Sequence, residues 1–193
     1  LLVGLAAAHS PGRLLRLSGV IASPAKPFVW SALFFGPALV AAILLGTIAS
    51  DFTGPDVVWK GIAAPFFEEL LYRGLAIGAL MRLAGWRLLP ACLLPAIFFG
   101  AIHAYQGGTA QGIAGAVAIT GIGGLYFGWL FWRWHWNLWP AIFVHMGLNL
   151  IWMVFALGET AIGGWLGNAL RAAVILASVL LTIRMVSKPA KNA

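Results

Sequence analysis

Charge is what this sequence has least of. Aspartate and glutamate together number 5, lysine and arginine 12, and charged residues make up only 9% of the 193 positions. A water-soluble domain carries roughly 25% charged residues, so most of this chain cannot be a surface that faces water. The shortage lies in long uncharged runs instead of being spread evenly, which argues against a greasy soluble core and for helices whose solvent is lipid. Cysteine is also scarce: Cys92 stands alone, which excludes an intramolecular disulfide and leaves the redox compartment open. No low-complexity tract, fixed-period repeat or cleavable signal peptide stands out. Leu1 to Ala8 are consistent with the tail of a further apolar helix.

What is there is hydrophobic residue, 62% of the chain. A spanning helix needs about 20 mostly apolar residues, and six segments meet that need: Phe28 to Ser50, Gly61 to Met81, Leu88 to Tyr105, Ala110 to Trp132, Asn137 to Leu157 and Ala161 to Ile183. The expected fold is all-α, a polytopic bundle of about six spanning helices, with one more truncated at the N-terminus as the alternative. Pro37 is expected to bend the first span, and Gly124 and Gly128 have the small-xxx-small spacing that lets helices approach closely. Residues 1–27 read as a tail with an interfacial segment, 28–186 as the membrane domain with its motif core at 65–149, and 187–193 as a C-terminal tail.

The net charge of +7 does not signal nucleic acid, because the basic residues are isolated between apolar runs and not clustered on one face with aromatics. They are asymmetric instead. One set of loops and ends collects Arg13, Arg16, Lys26, Arg82, Arg87, Arg133, Arg184, Lys188 and Lys191, and the other has Lys60 with Asp51, Asp56 and Glu159. The positive-inside rule then places both termini in the cytoplasm, as in a bacterial inner-membrane protein. Trp129, Trp132, Trp134, Trp136 and Trp139 crowd one turn, which is expected at a headgroup boundary. The bilayer is the first partner implied.

Several polar groups fall inside these apolar runs. The second carries Glu68, Glu69 and Arg73, each penalised by roughly 2.5–3.5 kcal/mol on insertion scales, so something must compensate them. A helical pitch places Glu69 and Arg73 one turn apart on one face, where they can pair, with Glu68 about 100° around. The third run ends in Phe99-Gly100-Ala101-Ile102-His103, and in the fifth His145 and Asn149 share a face. Peptide hydrolysis requires a carboxylate to take a proton from water, an imidazole to orient it and neutral donors for an oxyanion, and this set contains them. Zinc would accept the same imidazole and carboxylate ligands, though no HExxH pair is present. A proton-coupled transporter would also place such groups within the membrane, and a non-catalytic self-immunity or peptide-binding protein is a third reading. His9 and His135 match no motif, and Arg171 implies either a sixth helix that starts later than Ala161, the favoured reading, or a guanidinium that snorkels or pairs inward.

At Glu68-Glu69-Leu70-Leu71-Tyr72-Arg73, Phe99 to His103 and His145 to Asn149, the chain resembles the CAAX-processing and bacteriocin-self-immunity family of glutamate-dependent intramembrane proteases, whose motifs are EExxxR, FxxxH and HxxxN on successive helices. All three occur here in order. The resemblance implies that Glu68 is the base that activates water, that His103 helps position it, and that His145 and Asn149 form the oxyanion site. Glu69 and Arg73 would orient and charge-balance these groups. It further implies a metal-free mechanism and a membrane-anchored protein or peptide as substrate. By rise per residue, Glu68 would lie about 10 Å and Asn149 about 12 Å from the outer surface, so the site is expected in the outer half of the bilayer.

Overall fold

The computed structural model describes residues 10–157 and 163–189. The readings placed on Leu1 to Ala8, His9, Glu159, Ala161 and Lys191 lie outside them. The described residues form helices and connecting turns, with no strand among them. In chain order these are α1 (Pro11–Ser18), α2 (Ala25–Leu45), α3 (residues 54–82), α4 (Leu88–Ile102, extended by a 3-10 turn over His103–Gln106), α5 (Ala110–Arg133), α6 (Trp139–Val154) and α7 (Trp165–Met185).

Four elements are long and apolar enough to cross a bilayer: α2, α4 with its 3-10 turn, α5 and α7, at 21, 19, 24 and 21 residues. Their outward faces are apolar, with Leu44 75% and Ile122 66% exposed, as a lipid-facing surface requires. The chain is thus an integral membrane protein with a helical bundle. The two remaining runs differ from the other four in a consistent way. α6 has only 16 residues, about 24 Å, less than the roughly 30 Å of a hydrocarbon core. α3 begins at Gly54 instead of near Gly61, and alternates between α and π turns, with π segments at Val57–Ala63 and Glu69–Ile77. A capping box at its start, in which the Thr53 and Asp56 side chains each accept from the other's backbone N–H, explains the earlier beginning. These two elements carry the motif residues.

The first span begins three residues earlier and ends five residues earlier than its apolar run suggests, at Ala25–Leu45, and the helix passes through Pro37 without interruption. α7 starts at Trp165, after Gly163 in the left-handed region, which is the later start expected from Arg171. Gly124 and Gly128 do mediate a close approach: a Cβ on Gly124 would come within 3.0 Å of the Ala96 side chain, and one on Gly128 within 2.7 Å of Cys92 Sγ.

The tryptophan turn after α5 is more interior than a headgroup belt. Trp134 is buried, packs edge-on against Trp30 of α2 and donates from Nε1 to Thr182 Oγ1 of α7 at 3.1 Å. Arg133 is buried as well and donates to the carbonyl oxygens of Val186 and Ser187, closing the C-terminal end of α7. The side chain satisfies carbonyls that a helix end leaves without partners.

Candidate active site

The site grows from the second π segment. A π turn is wider than an α turn and recurs at functional sites in helices. Here it keeps Glu69 and Arg73 on one inward face, where both side chains are buried, at 0% and 1% exposure, and Arg73 Nη1 lies 3.1 Å from Glu69 Oε1. The guanidinium is held between two aromatic rings, 4.5 Å from the centroid of Phe99 on α4 and 5.1 Å from that of Phe127 on α5. Neither Nη1, Nη2 nor Glu69 Oε2 has a hydrogen-bond partner among the described residues. Charge pairing and ring faces therefore compensate this arginine more than directed hydrogen bonds do.

Glu69 has a second partner. Its Oε1 accepts from His145 Nδ1 of α6 at 2.8 Å, and the imidazole lies nearly parallel to Phe127, with centroids 5.1 Å apart and planes 15° from each other. Because a carboxylate can only accept, the proton sits on Nδ1, and Nε2 faces outward from this pair. That nitrogen is 3.7 Å from Glu68 Oε2, too long for a direct hydrogen bond and suited to a bridging water. Glu68 is the accessible member of the glutamate pair, with a 29% exposed side chain. Arg73, Glu69, His145 and Glu68 thus form one chain of groups running from buried to open.

His103 closes α4, with its Nδ1 donating to the Phe99 carbonyl at 2.6 Å, so its Nε2 is the acceptor of the neutral ring. It touches Phe99 with centroids 4.4 Å apart. His103 and His145 line one cavity of about 400 Å³ among α4, α5, α6 and α7, with largely apolar walls that include Phe99, Phe127 and Leu148. No hydrogen bond joins His103 to Glu68 among the described residues.

Asn149 is placed differently. Its Nδ2 donates to the Lys60 carbonyl at 3.0 Å, within the first π segment of α3, and it lines a separate cavity with Asp51, Asp56 and Lys60. The structure brings together Glu68, Glu69, Arg73 and His145, sets His103 beside them through Phe99, and puts Asn149 one turn along α6 against the α3 backbone. Phe127 is the residue that the sequence reading missed. It lies in an uncharged run without a motif, and only its contacts with Arg73 and His145 distinguish it. Arg171 lies over the Trp152 ring at 4.0 Å with Nη1 3.3 Å from Asn168 Oδ1.

A polytopic helical membrane protein with a carboxylate and imidazole cluster inside its bundle is the class that fold and site define. A family model described as Type II CAAX prenyl endopeptidase Rce1-like matches residues 50–151, just over half of the chain. The chain belongs to this family, and is thereby a CAAX-type intramembrane protease with a protein or peptide substrate and a membrane environment. The match encloses all three motifs. Searches of curated proteins and of solved structures gave no match.

Proposed function

We propose that this protein is a glutamate-type intramembrane endopeptidase that cuts a membrane-anchored protein or peptide near its C-terminal segment. The substrate is a sorting tail of an exported protein or a CAAX-like tail. The observation that carries the reading is the approach of Glu68 Oε2 to His145 Nε2 at 3.7 Å, with Glu69 holding the imidazole from the other side.

In this reading a water between Glu68 and His145 loses a proton to Glu68 as its oxygen attacks the scissile carbonyl carbon. Glu68 then returns that proton to the leaving amine nitrogen as the C–N bond breaks. His103, whose Nδ1 is committed to the Phe99 carbonyl, accepts from the water through Nε2 and positions it. With Nδ1–H held by Glu69, His145 serves the water and then the oxyanion by donating from Nε2–H as an imidazolium. Asn149 has two amide protons; one goes to the Lys60 carbonyl, and the second is the oxyanion donor. Glu69 and Arg73 orient the imidazole and balance charge.

The chemistry is proposed to need no metal. The Glu69 carboxylate is engaged by Arg73 and His145, and among the described residues no three His, Cys, Asp or Glu side chains are arranged to hold an ion. The basic residues gathered at one end of the bundle support cytoplasmic termini in a bacterial inner membrane, with the site towards the outer face. Reporter fusions at both termini test that orientation, and extracytoplasmic ends would overturn it. Incubating purified protein with membrane-anchored candidate substrates, with and without a chelator, tests the chemistry. Cleavage that survives chelation is expected; loss on chelation and recovery with zinc would point to a metal.

A further inference from the structure

The bundle has a polar end that the proposed chemistry leaves unused. α1 docks against the last turns of α3, where a Cβ on Gly74 would meet the Ser18 side chain at 2.9 Å, and Leu17 packs with Ala79. Arg82 fastens this junction: its Nη1 donates to the carbonyl oxygens of Leu17 at 2.9 Å and Arg16 at 3.4 Å, at the C-terminal end of α1. Between the two helices lies a cleft of about 280 Å³ lined by Arg13, Arg16, Leu17, Arg82 and Leu83.

Three guanidinium groups therefore converge on one cleft whose lining contains no carboxylate. Among the described residues the Arg13 and Arg16 side chains have no hydrogen-bond or ion-pair partner, and both are exposed. Arg82 spends Nη1 on the α1 carbonyls, but a guanidinium carries five donors in a fixed fork. Like charges held together repel, and an anion with several oxygens relieves that repulsion and accepts from the forks in pairs. Leu83 of the lining is 45% exposed, and Leu15 and Trp86, which neighbour Arg16 and Arg87 in the chain, are 46% and 41% exposed. A cation cluster next to exposed leucine and tryptophan matches a ligand with a phosphate at one end and hydrocarbon at the other.

We propose that the cleft between α1 and the end of α3 binds the phosphate of an anionic lipid headgroup, with Arg13, Arg16 and Arg82 as its ligands and Leu83 and Trp86 along the acyl chains. The site is independent of the catalytic reading, because it lies beyond Gly78 of α3 and shares no residue with the motif cluster. Bound lipid would tie α1, which the chain joins to the bundle through a short turn, to the helix that carries Glu68 and Glu69.

The test uses the purified full chain in detergent micelles, titrated with phosphatidylglycerol, phosphatidylcholine or inorganic phosphate, with retained lipid read by native mass spectrometry. Arg82 is kept, since it caps α1, and the variants are R13Q/R16Q and the control R184Q/K188Q, which removes two positive charges from the same end elsewhere. The expected result is a preference for phosphatidylglycerol that falls by about tenfold or more in R13Q/R16Q and persists in the control. Equal loss in both double variants, or no preference in the parent protein, would overturn the site. Inorganic phosphate competing as well as the lipid would make it a free-phosphate site and overturn the lipid assignment.

Discussion

Replacing Arg73 by methionine removes the cation from a place where water cannot follow. Glu69 is fully buried and Arg73 almost so, with 3.1 Å between Nη1 and Oε1, so R73M leaves a carboxylate whose one remaining polar contact among the described residues is the His145 Nδ1–H. Breaking a buried pair in this way costs about 3–5 kcal/mol. The guanidinium also gives up its seat between Phe99 and Phe127, a contact of about 2 kcal/mol when desolvated, part of which a thioether over the same rings recovers. We take about 4 kcal/mol for R73M, a large share of the roughly 5–15 kcal/mol by which folded proteins are stable. E69Q strands the guanidinium at similar cost, while its amide oxygen still accepts from His145. The double variant E69Q/R73M buries no charge, and should be more stable than the sum of the singles predicts by about 2–3 kcal/mol. Unfolding by SDS titration from mild detergent, followed by tryptophan fluorescence, measures all four proteins. Additive losses would refute the argument, because they would mean that the two charges do not compensate each other.

Three further outcomes follow from single contacts. F127L removes the ring parallel to His145 and beside Arg73; it should lower kcat more than it raises KM, and F127Y should restore most of the loss, whereas equal effects of both variants would deny the stacking role. G128A places a Cβ within 2.7 Å of Cys92 Sγ and 2.8 Å of Ile77 Cδ1, so α4 and α5 must separate at a cost of about 1–3 kcal/mol in the same unfolding assay. The hydrogen bonds from Lys60 and Thr53 hold the Asp56 carboxyl down to about 2, below its ordinary 3.8. A depressed carboxyl stabilises the fold above its unfolded pKa and ceases to as pH falls through its folded one. The parent protein should therefore lose a small increment of stability between about pH 4 and 2 that D56N lacks, and identical acid titrations would contradict this.

Much of the architecture was legible because lipid imposes a simple rule, namely that about 20 apolar residues make a span. Residues 88–106 and 110–133 follow that rule with few exceptions, and Gly124 and Gly128 signal the contact between them by size alone. The pairing of Glu69 with Arg73 was legible too, since four residues separate neighbours on a helix face. The π turns of α3 were not, because no residue type encodes them and packing against α6 and α4 selects them. Trp134 and Arg133 read as interfacial residues, yet both turn inward. Their partners, Thr182, Val186 and Ser187, lie some fifty positions away, and the sequence does not reveal that distance closing. Asn149 shares a face with His145, but α6 lies across α3 so that its amide meets Lys60, a crossing that periodicity does not encode.

The central claim is that Glu68 takes the proton from the attacking water. Its most direct test is the single-turnover cleavage rate of a membrane-anchored substrate by the parent protein and by E68Q, which keeps size and hydrogen bonding and removes the base, with folding checked by the SDS titration. Loss of a positioned general base should slow cleavage by about 10²–10⁴-fold while substrate binding is retained and a chelator has no effect on the parent rate. Cleavage by folded E68Q at the parent rate would contradict the account.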